Sequence, residues 1–422
     1  MERIVIQGGR RLVGQLAVSG AKNAVLKLMV ASLLADGAST IHHVPLIDDV
    51  RNMMKLLTAL GARVELGDDG VMRIDTSGPL STDPPDELVR SMRASIQVLG
   101  PLLSRFGEVR MALPGGCNIG DRPIDFHLGG LRKLGAEIVE EHGAIIGRCR
   151  RLKGTEIHLD FPSVGATENL MMAAVYAEGT TILRNVAKEP EIVEVQNFIN
   201  KMGGNVFGAG TDSIRIRGVG SLAPAAHDVI PDRIEAGTYM LMAAVTRGDV
   251  TLEPVIADHV EPVIAKLREA GVQVDVEDER VRVRAEHRPR AIEMVRVAPH
   301  PGFPTDMHPP IAALLAYADG LSSIQETVYT NRFRYAEELR RLGMRSTVRG
   351  DTLVITGSPV LQGANVTATD LRAGAALVVA ALGAQGETVI DGVHHLDRGY
   401  ERLEEKLTGL GAIIKRQHPV TV

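Results

Sequence analysis

The chain has no tryptophan, seven phenylalanines and six tyrosines, so aromatics are only 3% of its 422 residues. That leaves no platforms on which single-stranded bases could stack. Lys and Arg total 47 against 52 Asp and Glu. No basic excess invites nucleic acid, and no acidic run marks a disordered tail. Two cysteines, Cys117 and Cys149, exclude a disulfide framework and a multi-thiolate metal cluster. The opening residues, MERIVIQGGRRLVG, lack the apolar core of a secretory signal. The longest apolar stretch, Ala373 to Leu382, falls short of the ~20 residues that cross a bilayer. These absences predict a soluble, cytoplasmic protein without membrane insertion. With 45% apolar residues, the length suits two ordinary domains, each with a sizeable core of Leu, Val, Ile, Ala and Met. The 44 glycines, above the usual ~7%, call for many turns or close backbone approaches.

The chain repeats. A segment ending in Leu-Gly-Ala or a variant recurs as TALGARVEL, RKLGAEIVE, NKMGGNVFG, REAGVQVDV, RRLGMRSTV and TGLGAIIKR. Its glycines are Gly61, Gly135, Gly203, Gly271, Gly343 and Gly411, separated by 74, 68, 68, 72 and 68 residues. Upstream of each lies an alternating run such as GASTIHHVP or GTTILRNVA, which reads as a half-buried strand. Before each strand comes an apolar helix such as AKNAVLKLMVASLLADG, and after it an amphipathic one. In the first copy Val50, Met53, Met54, Leu57 and Leu60 share one helical face. In the fifth, Ala336, Leu339 and Leu342 do so, with Glu337 and Arg341 as an i,i+4 pair. A glycine just past each helix suits the left-handed C′ position. Six helix–strand–helix–strand–strand units result. A solenoid would have shorter, more uniform repeats, so two globular α/β (α+β) domains of three units each are expected. The proline-containing PAAHDVIPD (224–232) separates them. The orphan strand pair in ERIVIQGGRRLVGQLAVSG could complete the last unit. The domains are then 22–229, carrying a cysteine loop at 113–123, and a discontinuous 1–21 plus 230–422.

Parallel first helices would bring their N-termini, with unbonded N–H groups, to one side of each domain and form an anion-binding cleft between the two. Residues at those starts include Lys22, Asn23, Arg93, Ser163, Asp232, Asp306 and Asp370. Aspartate there is an ordinary cap, whereas Lys22 and Arg93 oppose the helix dipole, which favours function. In LPGGCNIGDRPIDFH three glycines surround Cys117 and Arg122 follows. Backbone N–H groups there can face an anion, and a guanidinium lowers a thiol's pKa. The alternative is a buried, structural cysteine; Cys149, in IIGRCRRLKG, has no comparable setting and is expected to be inert. The loop is not a Walker A motif, and its glycines would permit closure as a lid. Four prolines crowd Asp306, a candidate base or a plain helix cap. Asp397 and Arg398 precede the final helix as site material or as a solvated start. His42-His43 and His394-His395, read as neighbours on strands, point to opposite faces and make no metal site.

These motifs, taken in order, resemble one family. Ser19-Gly-Ala-Lys22-Asn23-Ala, Arg93-Ala-Ser-Ile, Pro114-Gly-Gly-Cys117-Asn-Ile-Gly-Asp-Arg122-Pro-Ile-Asp125-Phe-His127 and Ser163-Val-Gly-Ala-Thr-Glu-Asn169 carry the likeness. So do Phe303-Pro-Thr-Asp306, Glu326-Thr-Val328, Asn331-Arg332-Phe333 and Asp397-Arg398-Gly-Tyr. The chain resembles, over essentially its whole length, the UDP-N-acetylglucosamine enolpyruvyl transferases. The resemblance implies two inside-out α/β barrels of three βαβαββ-type units, with the active site in the interdomain cleft. It implies transfer of the enolpyruvyl group of phosphoenolpyruvate to the 3′-hydroxyl of UDP-N-acetylglucosamine, with release of phosphate. That reaction opens peptidoglycan synthesis and is the target of fosfomycin.

By resemblance Lys22, Arg122 and Arg398 bind phosphoenolpyruvate, and Cys117 supplies a proton to C3 or adds to C2. Asp306 takes or positions the hydroxyl proton, and Asn23 hydrogen-bonds near the reacting centre. The sugar-nucleotide site corresponds to Arg93, Arg122, Pro123, Ile124, Asp125, Phe126, Phe161, Pro162, Ser163, Val164, Asp306 and Val328. The two substrates are the only partners implied; no cofactor or metal is. Departures cluster on the acceptor side. His308, Pro309 and Pro310 stand where Gln-Ala-Gln is common, and Tyr329-Thr330 follow Val328. Arg334-Tyr335 replace Met-His, and Phe126 stands where leucine is frequent. Transfer to another uridine nucleotide, or a catalytically silent UDP-sugar-binding paralogue, fits the same motifs. The shikimate-pathway relative lacks the cysteine loop and ranks last.

Overall fold

The computed structural model describes residues 2–115, 124–330 and 332–418. Cys117, Arg122 and Pro123 lie outside the described residues. The chain divides into two compact units. One is built between Gly20 and Ile230; the other joins the chain up to Ser19 with the chain from Pro231 onward.

Each unit is organised around its most apolar helices. In the first these are α1 (Lys22–Ala31), α2 (Leu99–Phe106, led by a 3₁₀ turn at Arg93–Val98) and α3 (Val164–Ala174). In the second they are α4 (Arg233–Val245), α5 (His308–Leu315) and α6 (Leu371–Gly383). Every residue of α4 and α5 is buried, polar Arg233, Glu235, Thr238 and His308 among them, so neither helix turns a face to water. The strands instead alternate buried and exposed positions, as in Ser213–Arg217 and Arg280–Arg284. Their inner faces cover the helices and their outer faces meet solvent, a mixed α/β architecture with helices at the centre of each unit.

The six marker glycines all occupy the left-handed region, with φ between +83° and +105°. They end the amphipathic helices where any side chain would be strained. On the helix Asp48–Ala59, Val50, Met53, Leu56 and Leu57 are fully buried. The ion pair of the fifth copy differs from expectation: Arg341 pairs with Glu338, at i,i+3, rather than with Glu337.

Among the described residues there are three sheets in each unit. Five have four strands, in which a short edge strand runs parallel to its neighbour and two more add antiparallel. The sheet of the second repeat has three; there the Arg110 N–H donates to the Thr82 carbonyl at 2.9 Å, a single bond in the place of an edge strand. The N-terminal strands have separate destinations. Arg3–Gln7 lies antiparallel between Glu387–Asp391 and Ile413–Gln417, inside the last repeat's sheet. Val13–Ala17 instead runs parallel to Asp249–Glu253, at the edge of the fourth. The 224–232 segment is more than a linker, since Ala226–Asp228 pairs parallel with Thr40–His42. Each of these edge strands thus leads, in sequence, into a helix of the other unit.

The crossings are pinned locally. Asp232 N–H donates to the Ser19 carbonyl at 2.8 Å, and Ala21 N–H to the Ile230 carbonyl at 2.7 Å. A Cβ on Gly20 would stand 1.9 Å from the His43 carbonyl oxygen, so only glycine fits. Ser19 is held by buried Glu235, which accepts from its N–H, and by Lys406 and Glu401 at its hydroxyl.

Candidate functional site

In the unit between Gly20 and Ile230, candidate residues stand at the starts of its helices. Lys22 opens α1 with its Nζ 2.7 Å from Asp49 Oδ2, and both side chains are buried. A cation at a helix N-terminus is disfavoured by the dipole, and Asp49, on the next helix, offsets that cost. The Asn23 carbonyl accepts from Lys27 Nζ, which also lies 3.3 Å from Glu168 on α3.

Ser163 caps α3 through the Ala166 N–H. Asn169, fully buried, ties three segments together. Its Oδ1 accepts from Gly100 N–H at 2.7 Å, and its Nδ2 donates to the Ile96 carbonyl and to His127 Nδ1. These bonds satisfy backbone groups freed where the 3₁₀ turn passes into α2, and so fix the turn that begins at Arg93. A Cβ on Gly100 would fall 2.3 Å from Asn169 Oδ1. Burial, and then Arg93, push the His127 pKa down to about 3. The ring is therefore neutral, with Nδ1 accepting and the proton on Nε2. His127 sits on the helix opened by Asp125, beside Ile124 and Phe126, and Gln97 donates to the Gly165 carbonyl at 3.0 Å. Arg93, Ile124, Asp125, Phe126, Ser163 and Val164 are thereby linked, and Phe161 and Pro162 lead into the same cap. Gly115 stands where a Cβ would meet the Arg90 carbonyl at 1.9 Å, so this glycine answers to packing rather than to motion.

Glu168 carries its own pH signature. Burial is the largest influence and outweighs Lys27, raising its pKa from 4.5 to about 7. The folded protein therefore keeps a proton that the unfolded chain releases above its ordinary pKa. Stability from this group is full below about pH 4.5 and is lost as pH rises through about 7. In urea melts wild type should lose ~3 kcal/mol of stability relative to Glu168→Gln between pH 4.5 and pH 8. A difference independent of pH would contradict this.

In the other unit Asp306 lies in a 3₁₀ turn (Thr305–Met307) that leads into α5. Its Oδ1 accepts from Arg332 Nη2 and its Oδ2 from Arg372 Nη2, both at 3.0 Å. The guanidiniums are 3% and 6% exposed, whereas Asp306 is 27% exposed. Two buried cations thus fix the carboxylate plane and leave an edge toward solvent. Asp232 and Asp370 cap α4 and α6. Arg332 Nη1 also donates to Thr305 Oγ1, whose hydroxyl donates to Glu326 Oε2. Glu326 Oε1 accepts the N–H groups of Val328 and Tyr329, so Val328 and Asp306 share one network.

Arg398 follows the short helix His394–Asp397. Asp397 is gripped by both Nη atoms of Arg416, which also binds Glu404 and Glu2. Two residues past Arg398, Tyr400 OH accepts from Arg372 Nη1 and meets Thr238 Oγ1. His394 and His395 are therefore helical rather than on a strand, with ring centroids 4.1 Å apart. Among the described residues no cluster of three or more His, Cys, Asp or Glu could hold a metal, and no helix is long and apolar enough to cross a membrane. Arg332 and Arg372 both stand in segments the sequence singles out, at the Asn-Arg-Phe motif and a helix start. Nothing there signals that they converge on Asp306. Asp49 reads as an ordinary acidic first turn.

The model of the EPSP synthase (3-phosphoshikimate 1-carboxyvinyltransferase) family matches residues 6–407. The chain is 53% identical to a UDP-N-acetylglucosamine 1-carboxyvinyltransferase 1 of Symbiobacterium thermophilum, covering 98% of this chain and 95% of that one. It is 48% identical to a UDP-N-acetylglucosamine 1-carboxyvinyltransferase of Geobacter metallireducens, over 99% of both. Its structure superposes with a TM-score of 0.90 on the enolpyruvyl transferase NikO from Streptomyces tendae, at 28% identity and 99% coverage of each. With the family model spanning nearly all of it and relatives matching end to end, the chain belongs to the enolpyruvyl transferase family.

Proposed function

We propose that the protein transfers the enolpyruvyl group of phosphoenolpyruvate to the 3′-hydroxyl of UDP-N-acetylglucosamine, releasing phosphate in the step that opens peptidoglycan synthesis. The observation that carries the reading is end-to-end identity of 48–53% with chains named for that activity. The geometry agrees with it. In the addition step the hydroxyl oxygen bonds to C2, its proton passes to a base, and a proton joins C3. In the elimination step C3 gives up a proton and the C2–O bond to phosphate breaks. Asp306, aimed by Arg332 and Arg372 and open along one edge, is the base. Lys22, fixed by Asp49, is a preformed cation for the phosphate or carboxylate. Arg398 and Arg122 complete that charge, and Cys117 is the acid toward C3. By the family resemblance Arg93, Ser163, Val164 and Val328 serve the nucleotide.

Transfer to another uridine nucleotide is the second reading, favoured by the departures at 308–310 and 329–330. Phosphate release should be measured from phosphoenolpyruvate with UDP-N-acetylglucosamine and, in parallel, with UMP, UDP-glucose and shikimate 3-phosphate. Release with UDP-N-acetylglucosamine alone is the expected result. Release only with another nucleotide would move the acceptor and keep the chemistry; none with any acceptor would favour a silent, UDP-sugar-binding protein.

A further inference from the structure

His308 stands two residues after Asp306, and the structure turns it inward. It opens α5, where Pro309 and Pro310 suit the first helical positions, and its side chain is fully buried. Nδ1 lies 2.9 Å from Glu326 Oε2. The ring meets Phe333 and Tyr335 edge-on, with centroids 5.2 and 5.3 Å away. Tyr335 is thus part of the same pocket.

Glu326 is the hub of this pocket. A carboxylate has about four acceptor sites, and Glu326 receives four donors: Thr305, His308, and the N–H groups of Val328 and Tyr329. Burial pushes its pKa up, but the bond from His308 and the others outweigh it and the net shift is downward. Burial likewise outweighs Glu326 at His308 and lowers its pKa. The pair is therefore a carboxylate and a neutral imidazole, and because the carboxylate only accepts, the imidazole proton is on Nδ1. Among the described residues Nε2 has no hydrogen-bond partner, so the ring's one polar contact there is that bond.

We propose that His308 is a positioning residue for the acceptor. Through Glu326 it holds the Val328–Tyr329 turn and, by way of Thr305 and Arg332, the carboxylate of Asp306. The inference rests on the function proposed above and adds a residue that the reading of the site from sequence did not assign.

His308→Leu removes the donor while filling the space, and His308→Asn places an amide N–H close to where Nδ1 stands. The leucine variant should raise KM for UDP-N-acetylglucosamine about tenfold, as loss of one donor to a buried carboxylate would, with KM for phosphoenolpyruvate within about twofold. The asparagine variant should return to within about threefold of wild type. If leucine prevents folding, His308→Met fills the pocket without a donor and carries the same expectation. In a double-mutant cycle with Glu326→Gln the two effects should be non-additive. Equal change in both KM values, no change in either, additive effects, or asparagine as impaired as leucine would each overturn the proposal. Wild type that neither binds UDP-N-acetylglucosamine in calorimetry nor turns it over would overturn the proposed function instead.

Discussion

Asp306→Asn is expected to lower phosphate release about 10³-fold, in the range lost when a positioned general base is removed. The same change should lower stability by about 2 kcal/mol, because Arg332 and Arg372 are buried and would lose their shared anion. That figure sits below the usual cost of an orphaned buried charge because Asp306 is 27% exposed and water can reach it. The two effects have separate readouts, single-turnover release for the base and a thermal melt for the charge cluster. Turnover within tenfold of wild type would refute the base assignment even if the melt shifted as expected. A lost turnover with an unshifted melt would mean that the guanidiniums are satisfied without Asp306.

Cys117→Ser is expected to abolish alkylation by fosfomycin. An epoxide is opened by a thiolate, and a serine hydroxyl offers almost no alkoxide at neutral pH. The second cysteine makes the experiment clean. Cys149 is half-buried, its S–H donates to the Leu103 carbonyl, and burial pushes its pKa up. Intact-mass measurement should therefore show one adduct on wild type and none on the serine variant. An adduct on the serine variant would mean the nucleophile lies elsewhere. Cys117→Asp should escape labelling and keep turnover, since a carboxyl group can also supply the proton to C3; complete loss of activity would contradict a purely acid role.

The fold was legible wherever the signal was local. Gly61, Gly135, Gly203, Gly271, Gly343 and Gly411 mark the repeat in sequence, and each proves to need a positive φ. Alternation and helical spacing likewise report on a residue's own few neighbours. Whatever depends on distant partners was not legible. The residues that turn Asp306 from a cap into an aimed carboxylate, Arg332 and Arg372, come from two later elements. Strand Val13–Ala17 has the same look as Arg3–Gln7 and pairs more than two hundred residues away from it in sequence, with Asp249–Glu253. In the second repeat a strand shrank to one hydrogen bond at Thr82 without breaking the period. His308 showed as a departure, but only its burial against Glu326 reveals that it faces inward.

The placement of Arg3–Gln7 also sets the order in which the molecule can be made. The unit between Gly20 and Ile230 closes once Ala226–Asp228 has left the ribosome and found Thr40–His42. Its neighbour cannot keep that schedule. Val13–Ala17 waits for Asp249–Glu253, and Arg3–Gln7 waits for Glu387–Asp391 and Ile413–Gln417. At ~5–20 residues per second the second delay is on the order of 20–80 seconds. Throughout it an early, apolar strand is a nascent edge on which another chain could template. Arg3 on one side, and Arg10 and Arg11 on the other, flank the apolar core of that strand, the arrangement of charge that discourages such pairing. Strand Arg3–Gln7 is thus synthesised long before its partners and is among the last parts of this enzyme to find its place, with arginines flanking it through the interval.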